Sequence, residues 1–244
     1  MKGQAVSAVA VLALVFGFVG AAPVRGEFCG DIAKLQREAE AGKPRAQTEL
    51  AVCYFAGKGV PKDERQAVDW RRKAAEQGYA PAQAFLGFSY AFGQDGVPKD
   101  EHLAEQWFRH AVKSLPDLAN QGDPLAQVTL GNMYFGGRGG LPQDHELAAQ
   151  WFRKAAEQGN AAAQFNLGFR YASGLGVPKD DHAAAAWYRK AADQGYWVAQ
   201  NFLGEMYEEG RGVPQDFGEA EVWYRKAAEQ GYEKAKEALR RLGQ

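Results

Sequence analysis

The side chains able to do chemistry are few in this chain, and their spacing limits what they can do. Four serines occur in 244 residues: Ser7, Ser89, Ser114 and Ser173. Acyl transfer by a Ser-x-x-Lys pair needs an activating amine one helical turn from the hydroxyl. The residues three places on are Ala10, Phe92, Asp117 and Gly176, so no such pair exists. There is no Gly-x-Ser-x-Gly elbow, and the glycine-rich stretch from Gly136 to Gly140 lacks the Gly-Lys-(Ser/Thr) ending of a phosphate loop. His102, His145 and His182 each stand close behind an aspartate at matching places in successive stretches. Ligands of one ion converge to about 2–2.6 Å of it, whereas equivalent points on packed helices stand about 8–10 Å apart. These histidines therefore read as surface residues near helix caps. The chain is expected to be non-catalytic, with no metal and no cofactor.

The remaining reactive pair is Cys29 and Cys53, placed twelve residues either side of position 41. If 31–41 and 44–56 form antiparallel helices, the two thiols stand at equal heights, about 18 Å from the turn at ~1.5 Å per residue. An oxidising compartment then favours a disulfide; the alternative is two free thiols, with Cys53 filling a slot held elsewhere by Ser89, Met133, Arg170 or Met206. The N-terminus points to such a compartment. Lys2, an apolar run from Ala5 to Val19 and the small residues Gly20, Ala21 and Ala22 form a three-part export signal over residues 1–26. Cleavage after Ala21 fits best, and a cut nearer Glu27 is the second option. The run is shorter than the ~20 residues of a spanning helix, so the mature protein is expected in the periplasm or outside the cell with no stable membrane insertion.

The elements that position these residues repeat five times. Ala-Gln pairs begin at Ala46, Ala82, Ala126, Ala163 and Ala199; aspartates follow at Asp63, Asp100, Asp144, Asp180 and Asp216; tryptophans follow at Trp70, Trp107, Trp151, Trp187 and Trp223. The tryptophan steps are 37, 44, 36 and 36 residues, a period that signifies stacked supersecondary units. Within the fourth copy, Ala163, Leu167 and Tyr171 make one apolar stripe, and Ala184, Trp187, Tyr188 and Ala191 make another. The aspartates suit N-caps, and Gly78, Gly122, Gly159, Gly195 and Gly231 suit helix ends. Gly87, Gly131, Gly168 and Gly204 mark a close helix approach. The expected units are 43–78, 79–122, 123–159, 160–195 and 196–231, with capping helices at 31–41 and 232–242. The second unit gains seven residues within 112–120, and Pro116 should break its helix.

The run from Ala199 to Asp216 and its continuation from Trp223 to Gly231 resemble the Sel-1-like repeat, a cousin of the tetratricopeptide repeat, and the likeness extends over about 31–242. The resemblance implies an all-α fold, a right-handed α/α superhelix, used for protein–protein interaction. The first copy departs from the pattern, with Ala51 for glycine and Arg71 for the aromatic after Trp70. Some cysteine-rich exported relatives are described as penicillin-binding or weakly β-lactamase-like, so a β-lactam- or glycan-binding protein or weak hydrolase is the alternative reading.

Charge and composition narrow the partner. A net charge of −1 gives no reason to expect nucleic acid. By likeness to tetratricopeptide arrays, the first helices line a concave groove. Its expected lining is Val52, Phe55, Phe88, Phe92, Phe135, Phe165 and Phe169, ending in an acidic lip of Glu205, Glu208 and Glu209. That suits a monomer binding a peptide with apolar anchors and a basic flank. Tight curvature that turns these phenylalanines into core is the competing arrangement.

Overall fold

The computed structural model describes residues 29–94 and 96–243; the expected signal segment, 1–26, lies outside them. Among the described residues there are thirteen helices and no strand. They fall into two compact units, one ending at Gln143 and the other beginning at Asp144. The first holds α1 (Ile32–Glu40), α2 (Pro44–Ala56), α3 (Glu64–Glu76), α4 (Ala80–Phe92), α5 (Glu101–Val112), α6 (Leu115–Asn120) and α7 (Pro124–Gly136). The second holds α8 (His145–Glu157), α9 (Ala161–Ser173), α10 (Asp181–Asp193), α11 (Trp197–Glu209), α12 (Phe217–Glu229) and α13 (Glu233–Leu242). The class is all-α, and within each unit successive helices pack side by side as in a helical solenoid.

Local signals account for the helix bounds. Asp63, Asp100, Asp144, Asp180 and Asp216 each cap a helix by accepting a backbone N–H three residues on, at 2.9–3.0 Å. The residue after each first helix is a glycine in the left-handed region, as at Gly174 with φ 72°.

Close packing explains the mid-helix glycines. A β-carbon on Gly87 would stand 2.6 Å from the Phe108 ring; on Gly168 it would meet Tyr188, and on Gly204 it would meet Tyr224, each at 2.8 Å. Those rings follow the tryptophans in sequence and are fully buried, 0–1 % exposed. In the first copy both partners change together. Ala51 replaces the glycine, and the buried Arg71 replaces the ring, its guanidinium 5.6 Å from the Phe55 centroid and 5.9 Å from that of Phe85.

The glutamine of each Ala-Gln pair has a task too. Gln47, Gln83, Gln127, Gln164 and Gln200 donate from Nε2 to the carbonyls of Ala39, Ala75, Ala119, Ala156 and Ala192, at 3.0–3.2 Å. Each bond ties a first helix to the end of the helix before it. Gln77, Gln194 and Gln230 add a second rung to Gln47, Gln164 and Gln200.

Pro116 does break the chain: α5 stops at Val112 and α6 begins at Leu115. The short α6 takes over the packing that the last turns of a second helix perform elsewhere. Leu115 and Ala119 are buried, and Ala119 supplies the carbonyl for Gln127. The last helix, α13, repeats the start of a first helix. Ala235, Leu239 and Arg240 stand thirty-six residues after Ala199, Leu203 and Gly204.

Candidate interaction surface

Cys29 and Cys53 are joined by a disulfide with a Cα–Cα separation of 5.9 Å. It pins the segment before α1 against α2, beside Leu35, Leu50 and Ile32. Among the described residues no group of His, Cys, Asp or Glu is arranged to hold a metal ion. His102 and His182 are exposed; His145 is half-buried, and burial and the nearby Arg170 guanidinium hold its pKa below the ordinary value.

In the first unit Val52, Phe55 and Phe92 are half-buried at their first-helix positions. Phe88 and Phe135 are not surface residues: only 3 % and 5 % exposed, they belong to the core. Phe88 packs edge-on to Phe108, with ring centroids 4.8 Å apart. The first helices also converge at one edge. Arg45 at the start of α2 reaches Asp123, the cap of α7, at 3.2 Å while holding Glu49 at 2.9 Å. Tight curvature of this kind turns groove positions into core.

In the second unit Phe169 is half-buried, with the Arg170 guanidinium 5.4 Å from its ring. Phe165, expected in the groove, is 1 % exposed and sits among Tyr188, Tyr196 and Phe202, at centroid distances of 5.4–5.5 Å. It too is core. Arg170 is fully buried between Phe152 and Phe169, and that burial lowers its pKa.

The acidic lip is largely neutralised from within. Glu208 accepts from Arg241 of α13 and from the Tyr224 hydroxyl, and Glu209 pairs with Arg211. Glu205 is half-buried and among the described residues accepts only the Asn201 amide, at 2.8 Å; burial raises its carboxyl above the ordinary value.

The tryptophans are less deeply placed than the residues that follow them. Only Trp223 is buried; Trp70, Trp107, Trp151 and Trp187 are half-buried at the outer edge of their helices. Lys73, Lys154, Lys190 and Lys226 place their ammonium groups 3.9–4.1 Å from the rings of Trp70, Trp151, Trp187 and Trp223. An indole covered by a cation keeps its apolar body inward and its face at the boundary with water.

Helix pairs whose constant residues are spent on packing, with variable residues left on the first helices, define a repeat protein of the kind used as a binding scaffold. The chain belongs to the Sel1 repeat family, whose repeat is matched at residues 44–79, 80–113, 124–160, 161–196 and 197–232. Such proteins are in general scaffolds for protein–protein interaction. The crystal structure of a protective antigen present in uropathogenic Escherichia coli strains is similar, at 36% identity and a TM-score of 0.52. That match covers 86% of this chain and 50% of the antigen, so the chain spans half the antigen's length. A Sel1 repeat protein from Oxalobacter formigenes matches at 32% identity and a TM-score of 0.56, covering 89% of this chain and 87% of that one. No curated protein matches the chain.

Proposed function

We propose that this protein is an exported, monomeric, non-catalytic scaffold that holds a peptide segment of a partner protein against its first helices. The observation that supports this best is the five Sel1 repeats themselves, which take up 44–113 and 124–232. In the first unit Val52, Phe55 and Phe92 are the apolar anchors of the first-helix face; in the second, Phe169 is the apolar anchor and Glu205 the acid. Apolar side chains left partly open on a rigid scaffold are a common basis of recognition. Export is supported by the signal-like pattern of residues 1–26 and by the Cys29–Cys53 disulfide, since such bonds persist in oxidising compartments.

Photo-crosslinking residues placed at Phe55, Phe92 and Phe169 in the native host test the reading. The expected result is one shared partner captured at the first-helix sites and not at a second-helix site such as Arg72. Capture of nothing at the three sites, or the same proteins at Arg72, would sink it. Fusion of residues 1–28 to a reporter active only after export tests the compartment; an inactive fusion would rule export out.

A further inference from the structure

The last first helix of the second unit, α11, makes a contact with the chain's own final helix that has the chemistry of a bound ligand. Both oxygens of Glu208 accept Nη2 of Arg241 of α13, at 2.7 Å. The hydroxyl of the buried Tyr224 of α12 donates to Oε2 of the same carboxylate, also at 2.7 Å. The tyrosine holds the carboxylate from the core side. The guanidinium covers it from the solvent side, with the Arg241 side chain 63 % exposed against 19 % for that of Glu208.

Repeat register places both members of the pair. Thirty-six residues before Arg241 stands Glu205, and thirty-six before that stands Phe169, so Arg241 takes on α13 the place those two take on α11 and α9. The place of Glu208 is held in the other copies by Phe55, Ala91, Phe135 and Ala172. A carboxylate there is peculiar to the fifth copy and is no part of the packing that the repeats share. Nor does α13 depend on it. Ala235 and Ala238 dock that helix in one buried cluster with Ala220, Tyr224 and Ala227, and an ion pair open to solvent adds little to stability. Both bonds to Glu208 come from Nη2 alone, whereas a guanidinium free to approach end-on can set one nitrogen on each oxygen.

We propose that Arg241 is an internal stand-in for an arginine of the bound partner: it masks Glu208 in the free protein and yields the carboxylate when that arginine arrives. The proposal rests on the scaffold reading above and gives it a partner chemistry together with an autoinhibitory contact. Tyr224 keeps the carboxylate oriented during the exchange. A lysine serves less well, because its ammonium is a point charge without the planar fork. Masking lowers the apparent affinity by the fraction of molecules in which Glu208 is open.

The test immobilises the full chain, its Arg241→Ala variant and the double variant Arg241→Ala/Glu208→Gln, and pans each against a phage-displayed library of random dodecapeptides. Affinities of the selected peptides are then measured on all three. Thermal melts report folding, and Arg241→Gln replaces Arg241→Ala if that chain does not fold; failure of both would make Arg241 a structural residue and overturn the proposal. The expected result is a shared arginine in the selected peptides and binding at least about threefold tighter to Arg241→Ala than to the unaltered chain. Glu208→Gln in that background should weaken binding at least about tenfold, and lysine in place of the peptide's arginine should weaken it too. Peptides without a common arginine, or that ignore Arg241→Ala or Glu208→Gln, overturn the stand-in; if they lose binding on Phe55→Ala or Phe169→Ala, the scaffold reading stands. No selected peptide, or peptides indifferent to Phe55→Ala, Phe169→Ala and Glu208→Gln alike, overturns both.

Discussion

A methyl group at Gly168 would stand 2.8 Å from the Tyr188 ring, closer than packed carbons tolerate, and neither partner has room to yield. Gly168→Ala should therefore cost about 1–3 kcal/mol by overpacking, measured by denaturant unfolding; an unchanged midpoint would contradict the packing. The first copy tests the same rule in reverse. Arg71→Phe beside Ala51 should destabilise, and adding Ala51→Gly should recover part of the loss, because the ring then regains its socket. Glu205 gives a prediction in pH. Burial raises its folded pKa, so the folded state favours the neutral carboxyl. The resulting stability is present below the ordinary value of 4.5 and is lost as pH rises through the folded value. At pH 7 the ionised group is a cost, and Glu205→Gln should raise the melting temperature there, with the gain vanishing on acidification below 4.5. A gain that is the same at every pH would contradict this.

At the scale of the element, the glutamines join helices that apolar packing alone would leave free to slide. Gln200 donates to the carbonyl of Ala192 and accepts from Gln230, so Gln200→Ala removes both bonds. The expected cost is about 1–3 kcal/mol, that of two intramolecular hydrogen bonds. Gln230→Ala, at the more exposed end of the rung, should cost less; equal losses would argue against the ladder. Elements were the most legible part of the sequence. Helix periods, aspartate caps, glycine ends and the Pro116 break are local signals, and they fixed nearly every boundary. What spacing could not tell was depth. Trp187 and Tyr188 are neighbours on one stripe, and only the crossing with Gly168 makes Tyr188 the buried knob and Trp187 the boundary residue. Phe88, Phe135 and Phe165 were likewise ambiguous, because curvature is a property of packed helices and leaves no mark within one repeat. The Arg241–Glu208 pair spans 33 residues and was hidden for the same reason.

For the whole molecule, stability should be uneven along the chain, since each repeat rests on its neighbours alone. The Cys29–Cys53 bond closes a loop with a sequence separation of 24, for which chain entropy suggests about 3–4 kcal/mol. That stabilisation falls on the first hairpin. Reduction should speed hydrogen exchange in α1 and α2 while leaving α10 to α12 unchanged; a uniform increase across the chain would refute the local picture.

Arg240 occupies the place that glycine holds in Gly87, Gly168 and Gly204, where a second helix seats its ring at 2.6–2.8 Å. A long charged side chain there denies α13 the socket that another hairpin would need. A ring seated on α13 as Tyr224 is seated on Gly204 would collide with that side chain, and Arg240→Gly would open the place.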